Sequence, residues 1–153
     1  MKKSIEDSFE EIILRSHIWN WGPDWEVVIA IYKSFPNSYS VLSPFAYSYF
    51  EELIRSTTSE YGIEIYDKKG KPRKRKVGID LIKLEIKENA TERPEYVAIL
   101  EEVQKYYQNS GKSDQGDNRH SVAHGYMHPR FWSKDSFEKL IQNIARISKY
   151  SGF

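Results

Sequence analysis

Residues 133–147 read SKDSFEKLIQNIARI, and the spacing inside this stretch decides the fold class. Phe137, Leu140, Ile141, Ile144 and Ile147 recur at intervals of three and four, which is one apolar stripe of a helix. Ser133 or Asp135 stands where an N-cap belongs, and Glu138, three residues after Asp135, completes a cap pair. A helix with such a stripe is stable only when the stripe is buried against other elements.

The same period runs outward through the chain. Ile5, Phe9, Ile12 and Ile13 mark a first helix. After Gly22 and Pro23, residues 24–35 start with a cap-like Asp24 and are apolar almost all round, which predicts a short buried helix. Residues 37–43 are turn-like. Ser43 and Pro44 then match an N-cap followed by proline at the first helical position, and Phe45, Tyr49, Phe50, Leu53 and Ile54 carry a helix to about Ser59. Ile79, Ile82, Leu84 and Ile86 suit a helix over 79–88. Pro94 opens another, with Val97, Leu100, Val103 and Tyr107 on one face and an end near Gly111; the polar stretch 109–117 follows as a loop. There is no internal repeat and no linker. The expected fold is all-α, an up-and-down helical bundle forming a single domain over 1–153.

One segment departs from this pattern. Residues 62–67 (GIEIYD) alternate as an extended arm does, and 68–76 (KKGKPRKRK) carry seven basic residues in nine positions. That composition predicts a solvated, mobile basic loop or a short hairpin insertion around 62–77.

Composition excludes several classes. The 153 residues hold 23 Lys+Arg against 22 Asp+Glu, a net charge of +1, so any attraction for polyanions is local. Cys is 0, which removes disulfides, thiolate metal sites and thiol nucleophiles. With 39% hydrophobic and 14% aromatic residues, the chain is too apolar for intrinsic disorder. The opening MKKSIEDSFEE lacks the apolar core of a signal peptide, and the longest apolar run, 27–32, is far short of the roughly 20 residues of a membrane helix. A cytoplasmic protein without membrane contact is expected.

Chemistry concentrates in residues 118–128, NRHSVAHGYMH, which hold three of the four histidines: His120, His124 and His128. On a helix, His120 and His124 share a face. Arg119 lies about 140° from His124 around an ideal helix, but its long side chain allows both to converge on one ligand. Histidine titrates near neutrality and so takes and returns a proton. Arginine stays charged and offers a planar fork to phosphate oxygens. Together they suit phosphodiester cleavage in which the RNA supplies its own nucleophile, the 2′-hydroxyl. Zinc on His120, His124 and His128, helped by Asp114 or Asp117, is the competing use. Pro129 and Gly125 oppose a helix that would align all three imidazoles. No metal or other cofactor is therefore expected.

Lys68, Lys69, Lys71, Arg73, Lys74, Arg75 and Lys76 are candidates for an RNA-backbone clamp, or else form a charged loop that only confers solubility. Trp19, Trp21, Trp25, Tyr39, Tyr47 and Tyr49 offer base-stacking surface, although core packing is the commoner use of such residues. The acid pairs Glu10-Glu11, Glu51-Glu52 and Glu101-Glu102 read as the wet faces of helices. No phosphate-binding glycine loop, nucleophile elbow or dinucleotide fingerprint occurs.

The string NRHSVAHG resembles the Arg-x4–6-His signature of HEPN domains, in which a polar residue commonly follows the arginine. The resemblance implies a compact helical bundle, a homodimer with both motifs facing one cleft, and a metal-independent RNase of toxin–antitoxin, abortive-infection or other defence systems. It implies that Arg119 and His124 are catalytic. His120 falls at the polar position, and Asn118 precedes the arginine as in several branches. Tyr126 extends the string to Arg-x4-His-x-Tyr, the form found in HEPN toxins neutralised by a partner nucleotidyltransferase that adenylylates that tyrosine. The alternatives are a catalytically inactive HEPN-type module that binds RNA or protein, and a toxin regulated at Tyr126 by such a partner or another antitoxin.

Overall fold

The computed structural model describes residues 3–16, 21–104 and 133–153. Among them are six helices and no strand: α1 (Ile5–Arg15), α2 (Gly22–Ser34), α3 (Tyr39–Arg55), α4 (Gly78–Asn89), α5 (Pro94–Val103) and α6 (Lys134–Ser148). The architecture is an all-α bundle.

α6 follows its apolar stripe. Phe137, Leu140, Ile141, Ile144 and Ile147 are each at most 2% exposed, packed chiefly against α1 and α3. The cap is Ser133, whose Oγ accepts the Ser136 amide at 3.0 Å. Asp135 sits inside the first turn. Glu138 completes no cap pair; its carboxylate accepts the Tyr32 hydroxyl at 2.5 Å and lies 3.8 Å from the Lys134 ammonium.

α1 buries Phe9 and Ile12 and opens with a reciprocal cap absent from the periodicity argument. Ser4 Oγ accepts the Asp7 amide, and the Asp7 carboxylate accepts the Ser4 amide. α2 starts at Gly22, so Pro23 and Asp24 both lie in its first turn, and Asp24 is not the cap. Nor is α2 buried all round. Trp25, Val28 and Tyr32 face the core, while Val27 and Ile31 are exposed, because α1 is its main helical neighbour. The aromatic cluster is core: the Trp25 ring meets Phe45 and Tyr49 edge-on, and Trp21 meets the same two rings. Tyr47 is buried and Tyr39 half-buried. Trp19 and His17 lie outside the described residues.

α3 corrects a boundary. It begins at Tyr39, not at Ser43-Pro44, because the Val41 and Leu42 amides already bond the Ser38 carbonyl at 2.9 and 3.0 Å. Pro44 is accommodated inside: its fixed φ is helical, and only one amide bond is forgone. The Ser43 hydroxyl donates to the Tyr39 carbonyl at 2.6 Å and does not cap. The helix closes at Arg55, short of Ser59, where turns through Thr57 and Thr58 take over.

α4 and α5 pack on each other, and α4 also packs on α3. Their buried faces are displaced from the expected ones. On α4, Leu81, Ile82, Glu85 and Asn89 are buried, whereas Leu84 is only half-buried. On α5, Tyr96, Ile99, Leu100 and Val103 are buried, and Val97 is half-buried. The continuation expected through Tyr107 to Gly111 lies outside the described residues. No helix of the described residues is long and apolar enough to cross a membrane.

Candidate nucleic-acid interface

Between α3 and α4 the chain leaves the bundle and returns as a two-arm ribbon, residues 63–76. Of the two forms expected around 62–77, this is the hairpin. The turn is built by Asp67, whose Oδ1 accepts the amides of Lys69 at 2.8 Å and Lys71 at 2.9 Å. Gly70, at φ +74°, takes the left-handed position that closes it. The Asp67 amide donates to the Lys71 carbonyl at 2.8 Å, and the Arg73 amide to the Ile65 carbonyl at 2.6 Å. These two bonds flank the antiparallel pair Tyr66–Pro72. Pro72 thus occupies a pair that exchanges no amide bond, so its missing N–H costs the ribbon nothing.

The returning arm is pinned to the bundle. The Arg75 guanidinium donates to the Ile63 carbonyl at 2.9 Å. The Lys76 amide donates to Glu60 Oε2 at 3.1 Å, and its carbonyl accepts Arg55 Nη2 at 2.9 Å. Arg55 is buried and held in turn by Glu52 at 3.3 Å. The Gly78 amide, where α4 begins, donates to Glu51 Oε1 at 3.2 Å. The Glu51-Glu52 pair is therefore not simply a wet face; it anchors the ribbon. Glu102, likewise, pairs with Arg146 at 2.6 Å.

All seven predicted cations, Lys68, Lys69, Lys71, Arg73, Lys74, Arg75 and Lys76, are exposed. None of them makes an ion pair with a carboxylate among the described residues. The ribbon's own acids are engaged: Asp67 in the turn, and Glu64 as acceptor from the Tyr66 hydroxyl. The result is a local excess of positive charge on a backbone that is held in place, in a chain whose net charge is only +1.

Two features escaped the sequence reading. Tyr66, half of its surface exposed, sits among the cations. Its signal was its place in an alternating arm, which by itself does not distinguish a display site from a packing site. The second is Glu85, buried within the bundle. Its Oε1 accepts the Thr57 hydroxyl and, at 2.7 Å, Asn89 Nδ2, while Oε2 has no partner; the Tyr96 hydroxyl lies 3.2 Å from Thr57 Oγ1. Leu81, Glu85 and Asn89 at i, i+4, i+8 carried that signal.

Asn118, Arg119, His120, His124 and Tyr126, and the alternative zinc ligands His128, Asp114 and Asp117, lie outside the described residues. Among the described residues, no three His, Cys, Asp or Glu side chains gather as metal ligands would. No family profile, curated protein or solved structure matches this chain.

Proposed function

We propose that this chain is a metal-independent endoribonuclease of the HEPN type, acting in the cytoplasm as a homodimer and serving as a toxin or defence effector. The observation that carries the reading is the pinned ribbon with its seven exposed cations, which suits a polyphosphate backbone. The sequence 118–124 supplies the chemistry to act on it.

In this reaction neutral His124 takes the proton from a ribose 2′-hydroxyl. The oxygen attacks the adjacent phosphorus in line, and the bond to the 5′ oxygen breaks. The leaving oxygen takes a proton, leaving a 2′,3′-cyclic phosphate and a 5′-hydroxyl. Arg119 stabilises the charge that builds on the phosphoryl oxygens. Asn118 and His120 orient the phosphate, and His120 supplies the second proton, to the leaving oxygen. DNA, lacking the 2′-hydroxyl, is inert. Acid–base help contributes roughly 10²–10⁴-fold, and positioning of the strand by Lys68, Lys69, Lys71, Arg73, Lys74, Arg75 and Lys76 adds to it.

The test is incubation of the purified protein with RNA in EDTA beside His124→Ala and Arg119→Ala. Cleavage that survives chelation and disappears in both variants is the expected result, with a bell-shaped rate profile near neutral pH. A flat profile between about pH 5 and 8 removes His124 as the proton carrier. Loss of cleavage with EDTA turns the reading toward zinc on the histidines.

The second reading is a non-catalytic RNA- or protein-binding module, favoured by the seven exposed cations of the ribbon, since holding a phosphate backbone by charge needs no catalytic group. RNA binding without cleavage supports it. Control by a nucleotidyltransferase partner predicts an AMP mass on the Tyr126 peptide after co-expression.

A further inference from the structure

The ribbon has two chemically different faces. The Tyr66–Pro72 pair sets the register, and alternation along each arm then places Glu64, Tyr66, Pro72 and Lys74 on one face. Ile63, Ile65, Lys71, Arg73 and Arg75 fall on the other. In a pair that exchanges no backbone bonds the two residues stand closest, which sets Tyr66 directly opposite Pro72 on that face. The Glu64 carboxylate accepts the Tyr66 hydroxyl and so holds the aromatic ring along its arm. Tyr66 is 52% exposed, although a bundle with this many aromatics buries Trp25, Tyr49, Tyr96 and Phe137 almost completely. On the opposite face, Lys71, Arg73 and Arg75 occupy every second position of an extended arm, roughly 7 Å apart. That interval is comparable with the separation of successive phosphates in an extended nucleic-acid strand.

We propose that the 63–76 ribbon selects single-stranded over double-stranded RNA, stacking an unpaired base on the Tyr66–Pro72 surface while Lys71, Arg73 and Arg75 hold the phosphates. The inference rests on the reading of this chain as an RNA-acting protein and adds the strandedness of its ligand. An aromatic face takes any base, but only one that is out of a duplex. A-form duplex RNA keeps its bases stacked inside, and its deep, narrow major groove excludes side chains, so it meets the ribbon through phosphates and 2′-hydroxyls and offers the ring no free base face. A flexible single strand passes over the ribbon's edge and engages both faces; a stiff duplex engages one.

The experiment measures fluorescence anisotropy of labelled U12 and of a 12-base-pair RNA duplex, both titrated with His124→Ala protein to prevent cleavage. Tyr66→Ala is expected to weaken U12 binding about tenfold, the loss of one stacked base, and to leave duplex binding unchanged. Tyr66→Phe keeps the ring and is expected to retain most of the affinity. Arg73→Gln is expected to weaken both ligands and to reduce the steepness of the salt dependence. Because Tyr66 and Arg73 are exposed, thermal melts of these variants should match the parent.

Equal affinity for U12 and duplex overturns the proposal, as does a Tyr66→Ala variant that binds U12 as tightly as the parent. Stronger binding to phosphatidylserine–phosphatidylcholine vesicles than to U12 at the same salt also overturns it. A wild-type protein that cleaves RNA in EDTA while Tyr66→Ala leaves U12 affinity intact sinks this inference and keeps the ribonuclease. A protein that never cleaves, yet shows the Tyr66-dependent preference, does the reverse.

Discussion

Asn89 Nδ2 donates to Glu85 Oε1 at 2.7 Å, one helical turn apart on α4, inside a region closed to solvent. The same oxygen takes the Thr57 hydroxyl from the turn that follows α3, and Oε2 is left without a partner. A carboxylate held this way is supplied with donors on one side only, so its charge is poorly compensated.

Burial is the main reason that the Glu85 carboxyl is pushed from 4.5 up to about 7; the charge of Glu88 adds to it, while Thr57, Tyr96 and Arg93 oppose it. The folded state therefore holds this proton more tightly than the unfolded chain does. The contribution is fully stabilising below about pH 4.5 and is lost as pH rises through about 7. Relative to Glu85→Gln, the wild-type protein is expected to lose on the order of 3 kcal/mol between pH 4.5 and 8. Urea unfolding of both proteins at several pH values measures the difference, and parallel curves would show that Glu85 does not titrate in this window.

Gly152 is expected to reject any side chain. A Cβ built there lies 2.0 Å from the Ser56 carbonyl oxygen, while the Gly152 amide donates to Ser56 Oγ at 2.9 Å. The added Cβ is fixed by its own backbone and meets the Ser56 backbone, so no rotamer change relieves it. Gly152→Ala should cost roughly 1–3 kcal/mol and loosen Phe153 from Tyr49 and Tyr61. A calorimetric melt unchanged from the parent refutes this.

Ile144, wholly buried on α6, and Val41, 76% exposed on α3, are a matched pair for testing the core. Ile144→Ala should destabilise by about 2–5 kcal/mol. Val41→Ala should fall within about ±0.5 kcal/mol. Denaturant midpoints for the two variants check the ordering.

Arg55 is the clamp that seats the basic ribbon, bonding the Lys76 carbonyl and Glu52. Arg55→Met should free the returning arm while the bundle holds. Amide exchange at Arg73 and Lys76 is expected to accelerate on the order of tenfold, with core amides of α6 much less affected. Uniform acceleration across all helices would mean that Arg55 supports the bundle and not the ribbon in particular.

The helices were legible wherever one stripe had to be buried. α6 needed only the positions of five apolar residues, and α1 only four. Boundaries were less legible, because they depend on which carbonyl a given amide reaches. Ser43-Pro44 has the composition of a helix start, yet the amides of Val41 and Leu42 had already closed a turn upstream. The stripe on α4 was misplaced for a related reason: Glu85 is polar by composition but buried because Thr57 and Asn89 meet it.

The candidate interface divides in the same way. The seven cations were visible as composition. Their presentation on a pinned ribbon was not, because it rests on Arg55, Glu60 and Glu51, contributed by α3 and the turns after it.

By itself, then, the sequence determined the all-α class, the cationic character of 68–76 and the Arg119–His124 string, since periodicity, charge and spacing are properties of the chain alone. The tertiary structure alone decided that Tyr66 is displayed, that Glu85 is buried, and that the basic segment is an anchored ribbon. Each of those depends on which side chains from distant positions arrive at the same place, and local sequence does not encode such meetings.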